Sequence, residues 1–144
     1  MPRGGEAARA RTGYDPPSVI RSGEIVANRF RLEGLAGTGG MGAVWRTVDL
    51  DSGEPIALKV MLDHASDPAQ FLHEARVLSR VNHRAIVRYV AHGATEDGLL
   101  YLAMEWLEGE DLAARLRRGA LPTSDTIALG VRLADALAEA HSRG

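Results

Sequence analysis

Two features of the chain have the residue types and spacing to handle phosphate. The first is the run Leu35-Ala36-Gly37-Thr38-Gly39-Gly40-Met41-Gly42-Ala43-Val44, a G-x-G-x-x-G-x-V pattern. Glycine has no Cβ, so backbone N–H groups along such a loop can come close to phosphate oxygens. The second is Lys59, inside the apolar stretch Pro55-Ile56-Ala57-Leu58-Lys59-Val60-Met61. A lysine on a strand beside the loop can add positive charge to the same phosphates. Together the two point to a nucleoside triphosphate more sharply than either does alone. Lys59 also has a requirement of its own. An ammonium left unpaired among apolar neighbours is costly and calls for an anion. Glu74, on the amphipathic stretch that follows, is the internal candidate. The alternative is an edge strand from which Lys59 reaches water. Taken singly, Glu74 reads as a solvated helix residue and the glycines as a flexible hairpin. Their order along the chain favours the phosphate reading.

The elements that must position these groups follow from pattern. Phe30 and Leu32 alternate with Arg31 and Glu33, predicting a half-buried strand into the glycine run. Ala43 to Leu50 predicts a second strand and Pro55 to Leu62 a third, joined by the turn signal Asp51-Ser52-Gly53. The glycine run is therefore the tip of a hairpin. The dinucleotide fingerprint lies instead between a strand and a helix, so that reading is set aside. Asp67 and Pro68 signal a helix start. Phe71, Ala75, Leu78 and Val81 make its apolar stripe, with Glu74 beside it. Two more strands are expected, Ile86 to Ala91 and Leu99 to Glu105, around a Thr95-Glu96-Asp97-Gly98 turn. Asp111 to Arg118 reads as a short helix. A last helix, about Ser124 to His141, opens on Pro122-Thr123-Ser124-Asp125. That helix is apolar over most of its circumference apart from a stripe of Arg132, Asp135, Glu139 and Arg143. Such a surface expects burial on several sides, and the fold is expected to continue past Gly144.

With glycine loop, lysine, helix glutamate and the strand ending Met104-Glu105 in order, the sequence resembles the N-terminal lobe of a protein kinase. The likeness is to bacterial serine/threonine kinases of the eukaryotic type and covers roughly Phe30 to Gly144. The resemblance implies an α+β fold: a kinase-like N-lobe with a five-stranded antiparallel sheet and one main helix, then two helices of an incomplete C-lobe. Residues 1–22 would be a flexible leader, 23–107 the ATP-binding lobe, and 108–144 the hinge exit and first C-lobe helices. It also implies roles for matching positions. Gly37, Gly39 and Gly42, with Ala36, Thr38, Gly40 and Met41 around them, would form the loop over the ATP phosphates. Val44 would pack on the adenine, and Ala57, with Lys59, would belong to the Ala-x-Lys strand of the ATP site. Lys59 would hold the α- and β-phosphates and Glu74 would pair with Lys59. Met104 would be the gatekeeper, and the backbones of Glu105 and Leu107 would hydrogen-bond adenine. Asn82-His83-Arg84-Ala85-Ile86-Val87 resembles the turn after the family's helix, with Arg84 where proline is usual. Ala36 and Met41 are minor departures at the loop.

One departure is large. The chain has no His-Arg-Asp followed by Asn and no Asp-Phe-Gly, so the base aspartate and both magnesium ligands of the family are missing. The resemblance thus implies ATP as ligand, with Mg2+ and a protein Ser/Thr substrate only in a complete parent. By itself the chain is expected to transfer no phosphate. A non-catalytic kinase-like binding module and a non-functional gene fragment are the rival readings.

Composition closes off other classes. A net charge of −2 without a basic block argues against general nucleic-acid or membrane-surface binding. The absence of cysteine excludes disulfides and thiolate metal sites. His64, His73, His83, His92 and His141 are too dispersed to form a metal site at helical spacing. Glu108, Glu110 and Asp111 read first as a solvated loop and helix start. No apolar run approaches the ~20 residues that span a bilayer, and no signal peptide is evident. The expected setting is cytoplasmic.

Overall fold

The computed structural model describes residues 20–39, 42–61 and 68–143. The expected leader (except residues 20–22), Gly40, Met41 and Asp67 lie outside the described residues. The elements are β1 (Ile25–Val26), β2 (Phe30–Gly39), β3 (Gly42–Asp49), β4 (Pro55–Val60), α1 (Pro68–Arg80), β5 (Tyr89–Ala94), β6 (Leu100–Glu105), α2 (Leu112–Arg117) and α3 (Thr123–Ser142). The strands form one antiparallel sheet in the order β1-β2-β3-β4-β6-β5.

The sheet has six strands where five were expected. The addition is β1, which pairs Ile25 with Arg31 and Val26 with Phe30. Ala27 and Asn28 both take positive φ in the three-residue connection between the two strands, which the Arg29 amide closes onto the Val26 carbonyl at 3.1 Å. Neither residue is glycine, so the sequence carries only a weak turn signal there. A second correction concerns β5, which starts at Tyr89 rather than Ile86 and runs on through His92 and Gly93. The Ile86 amide bonds the His83 carbonyl at 3.0 Å and the Ala85 amide bonds His83 Nδ1 at 3.2 Å. Those amides serve a turn and cannot join the ladder. Gly93 belongs in the strand because it faces Tyr101. A Cβ at Gly93 would lie 2.8 Å from the Tyr101 hydroxyl.

Strand periodicity sorts the side chains onto two faces. On β3, Ala43, Trp45, Thr47 and Asp49 are buried; on β4, Ile56, Leu58 and Val60; on β6, Tyr101 and Ala103. Phe30 and Leu32 of β2 complete this core, with the Phe30 and Tyr101 rings edge to face at 5.9 Å. The polar members are satisfied. Thr47 donates to the Ile56 carbonyl at 3.0 Å. Asp49 receives a two-pronged pair from Arg29, at 2.8 and 2.7 Å, together with the Asp51 amide and the Ser52 hydroxyl. These donors hold the Asp49 carboxyl down at about 2, the Arg29 pair contributing most. The carboxylate thereby locks the β3–β4 turn, whose Gly53 takes φ 76.

Helix α1 packs on β5, burying Phe71 and Ala75. Asp111 caps α2, its Oδ1 accepting from the Ala114 amide at 2.6 Å. Helix α3 departs from the expected burial. Among the described residues Ala136 is its one buried side chain, while Ile127 and Val131 are 62% and 64% exposed. His83 Nε2 lies 3.0 Å from Asp135 Oδ2 and ties α3 to the turn after α1.

Candidate functional site

The expected phosphate and base residues come from strands distant in sequence, and the ladder register brings them together. Gly37 pairs with Val44, Val44 with Lys59 and Lys59 with Leu102, a row across four strands. The next row joins Arg46, Ala57, Met104 and Tyr89. Both rows lie on the face opposite the core, because their residues alternate with Ala43, Trp45, Leu58 and Ala103. Val44, Ala57, Lys59, Leu102 and Met104 are all half-buried. Adjacent rows are about 7 Å apart along the strands. The site therefore extends from the glycine strands, past Lys59, to the segment after β6.

Two irregularities set this register. The β2–β3 ladder slips between Leu32 and Gly34 and again between Leu35 and Gly37. Glu33 and Ala36 are the extra residues of these bulges, which bend a strand and re-aim its side chains. The three glycines of the pattern then differ in environment. Gly42, at φ 137, backs onto β4: a Cβ there would run into the Val60 carbonyl oxygen. Gly37 and Gly39 are exposed, have ordinary φ and would meet nothing within 4 Å. No packing among the described residues requires glycine at those two positions.

Lys59 and Glu74 are not joined. The ion pairs among the described residues include none between them. Glu74 is exposed and accepts from Gln70 Nε2 at 3.3 Å. The physical reason is that Lys59 is half-buried rather than enclosed, so its ammonium needs no internal anion. Met104 is half-buried because its side chain belongs to the open face.

The segment after β6 is pinned on both sides of one free residue. Glu105 exchanges contacts with Arg88: its amide donates to the Arg88 carbonyl at 2.9 Å, and its Oε1 accepts from the Arg88 amide at 2.7 Å. Trp106 Nε1 donates to Glu108 Oε1 at 3.0 Å, and the Arg46 guanidinium carbon lies 5.6 Å from the Trp106 ring centroid. Leu107 between them is 66% exposed. Its backbone N–H and C=O have no partner among the described residues. The acidic cluster beyond is occupied structurally: Glu108 by Trp106, Glu110 by Arg118, Asp111 as the α2 cap. Leu102 and Arg46 escaped the sequence reading. Leu102 could have been found by counting two residues back from Met104 along β6. Arg46 could have been found by counting two on from Val44.

These observations define a kinase-type N-lobe with the start of a C-lobe, and comparison with known proteins agrees. Residues 30–144 match the protein kinase domain family, and the chain belongs to that family. Its relatives include the serine/threonine-protein kinase pkn3 of Myxococcus xanthus, 35% identical over 127 residues, covering 85% of this chain and 23% of pkn3. PknA of Mycobacterium tuberculosis is 34% identical over 133 residues, covering 86% of this chain and 31% of PknA. Among solved structures, the Mycobacterium tuberculosis PknI kinase domain matches with a TM-score of 0.75 at 27% identity, covering 87% of this chain and 52% of that one. The chain thus spans less than a third of these curated relatives and about half of a solved kinase domain.

Proposed function

We propose that this chain is the ATP-binding portion of a serine/threonine protein kinase. The observation that carries the reading is the pair of ladder rows that set Gly37, Val44 and Lys59 beside Ala57 and Met104 on the non-core face. The open surroundings of Gly37 and Gly39 suit close approach of phosphates. The unpaired Leu107 backbone offers one donor and one acceptor to the edge of a base. Lys59 would neutralise part of the α- and β-phosphate charge. Glu74, which accepts from Gln70 here, would have to turn to Lys59 to pair with it.

In a longer chain bearing a base aspartate, the γ-phosphate would pass to a protein Ser or Thr hydroxyl. These 144 residues carry neither that aspartate nor the family's magnesium ligands. Among the described residues no group of three or more His, Asp or Glu side chains could hold a metal. No helix among the described residues is long and apolar enough to cross a membrane.

Calorimetric titration with ATP tests the reading. Lys59→Ala is expected to weaken binding by ~10–100-fold, the value of a charge-assisted hydrogen bond of roughly 1.5–3 kcal/mol. An affinity unchanged by Lys59→Ala, or no ATP binding by the wild-type chain, would refute it. Phosphotransfer by the 144-residue chain would refute the expectation that it is inactive. A second reading, a non-catalytic kinase-like module, is favoured by one observation: Ile127, Val131, Leu133 and Leu137 on α3 are all exposed. A monomer in light scattering that captures a kinase domain through α3, and does so without ATP, would support it.

A further inference from the structure

Arg46 stands in the Ala57–Met104 row, yet its side chain reaches away from the core to two partners on different elements. One is the carboxylate of Glu33, the extra residue of the first β2 bulge. The other is the indole of Trp106, with the guanidinium carbon 5.6 Å from the ring centroid. Trp106 is also held at its edge, where Nε1 donates to Glu108 Oε1 at 3.0 Å. Residues 106–110 have no regular structure, so their backbone owes its placement to such side-chain contacts. The pinned side chains at 106 and 108 flank Leu107, whose backbone groups are left unpaired. A planar guanidinium suits this double duty, because it stacks on an aromatic face while its edge pairs with a carboxylate.

We propose that Arg46 is a positioning residue for the base end of the nucleotide site. Braced by Glu33, it holds Trp106, and through Trp106 it presets the direction in which the Leu107 N–H and C=O point. It touches no phosphate. The inference rests on the ATP reading and adds to it a division of labour: Lys59 serves the phosphates and Arg46 the base. Removing a brace lowers the fraction of molecules whose hinge is competent, and affinity falls by that fraction. A cation–aromatic stack at a partly exposed site corresponds to a loss of about 2–5-fold.

The test is calorimetric titration of the chain with ATP, adenosine and inorganic tripolyphosphate. Arg46→Ala is expected to weaken ATP and adenosine by the same ~2–5-fold and to leave tripolyphosphate unchanged. Lys59→Ala is expected to weaken ATP and tripolyphosphate and to spare adenosine. Arg46→Lys, which keeps the charge but loses the planar stack, should lose adenosine affinity as Arg46→Ala does. Glu33→Gln, which removes the brace and keeps the fold, should lose part of it. In the free chain Arg46→Ala should also make Trp106 more accessible to acrylamide, with Trp106→Phe as the blank for Trp45. Loss of tripolyphosphate affinity in Arg46→Ala would overturn the proposal, since it would mark a general electrostatic role. Unchanged adenosine affinity would overturn it as well. If the wild-type chain binds neither ATP nor adenosine, the ATP reading falls and the proposal with it. If ATP binds and only the Arg46 pattern fails, the ATP reading stands and the proposal alone falls.

Discussion

Alanine at Gly42 and alanine at Gly37 are expected to do opposite things, although both residues belong to one glycine pattern. At Gly42 the backbone has φ 137, and an added Cβ would run into the Val60 carbonyl oxygen, 3.0 Å from the Val60 carbonyl carbon and 3.2 Å from Met61 Cα. All three are backbone atoms at the end of β4, to which β3 is paired through Ala43 and Val60. No rotamer change relieves a clash with backbone. Holding a side chain at such a φ costs about 1–3 kcal/mol. Overpacking typically adds about 1–3 kcal/mol. Their sum is of the order of 2–6 kcal/mol, a large share of a domain stability of about 5–15 kcal/mol. The expected fall in Tm is roughly 5–20 °C. Gly37 is exposed, with ordinary φ and nothing within 4 Å of an added Cβ. Gly37→Ala should therefore change stability by less than ~0.5 kcal/mol while weakening ATP, because the new methyl occupies the approach of the phosphates. Thermal unfolding by circular dichroism and ATP titration of both variants decide the matter. A wild-type Tm for Gly42→Ala, or a lowered Tm with intact ATP affinity for Gly37→Ala, would show that the division is wrong.

Acid should act on the β3–β4 turn. The folded-state value of Asp49, about 2, lies below its ordinary 3.8, so its contribution is fully present above pH ~4 and is lost as pH falls toward 2. Across that window the loss is about 2 kcal/mol, and acid unfolding of Asp49→Asn, compared with wild type, should lack it. A wild-type acid midpoint in Asp49→Asn would contradict this. Gly93→Ala sets a methyl 2.8 Å from the Tyr101 hydroxyl and 3.0 Å from Cζ of a buried ring. It should destabilise by about 1–3 kcal/mol in urea unfolding, and Gly93→Ala with Tyr101→Phe in the same chain should recover part of that. Failure of the double variant to recover any stability would refute the contact.

Much of the fold was legible because its signals are local. The alternation in Phe30–Glu33 and Ala43–Asp49, the Ser52-Gly53 turn, and the stripe through Phe71 and Ala75 each lie within one element. The errors arose where the cause is distant. The turn before β5 is made by His83 and places Tyr89, rather than Ile86, first in the ladder. The glycine at 93 answers to Tyr101 on another strand. β1 is two residues long and pairs only because a turn at Ala27 and Asn28 takes positive φ without glycine. The Lys59–Glu74 pair was inferred from the cost of burying an ammonium, and Lys59 turned out to be half-buried.

The sequence by itself determined the class of protein and the set of residues at stake, since glycine spacing, strand parity and the lysine between apolar neighbours are properties of short windows. Only the tertiary structure decided how those residues divide the work. Register and the two bulges of β2 bring Gly37, Val44, Lys59 and Leu102 into one row, and Arg46, Ala57 and Met104 into the next. The same register backs Gly42 onto β4 and leaves Gly37 facing open space. Pairing across strands is set by bulges and turns far from the residues concerned, and no window along the chain contains both.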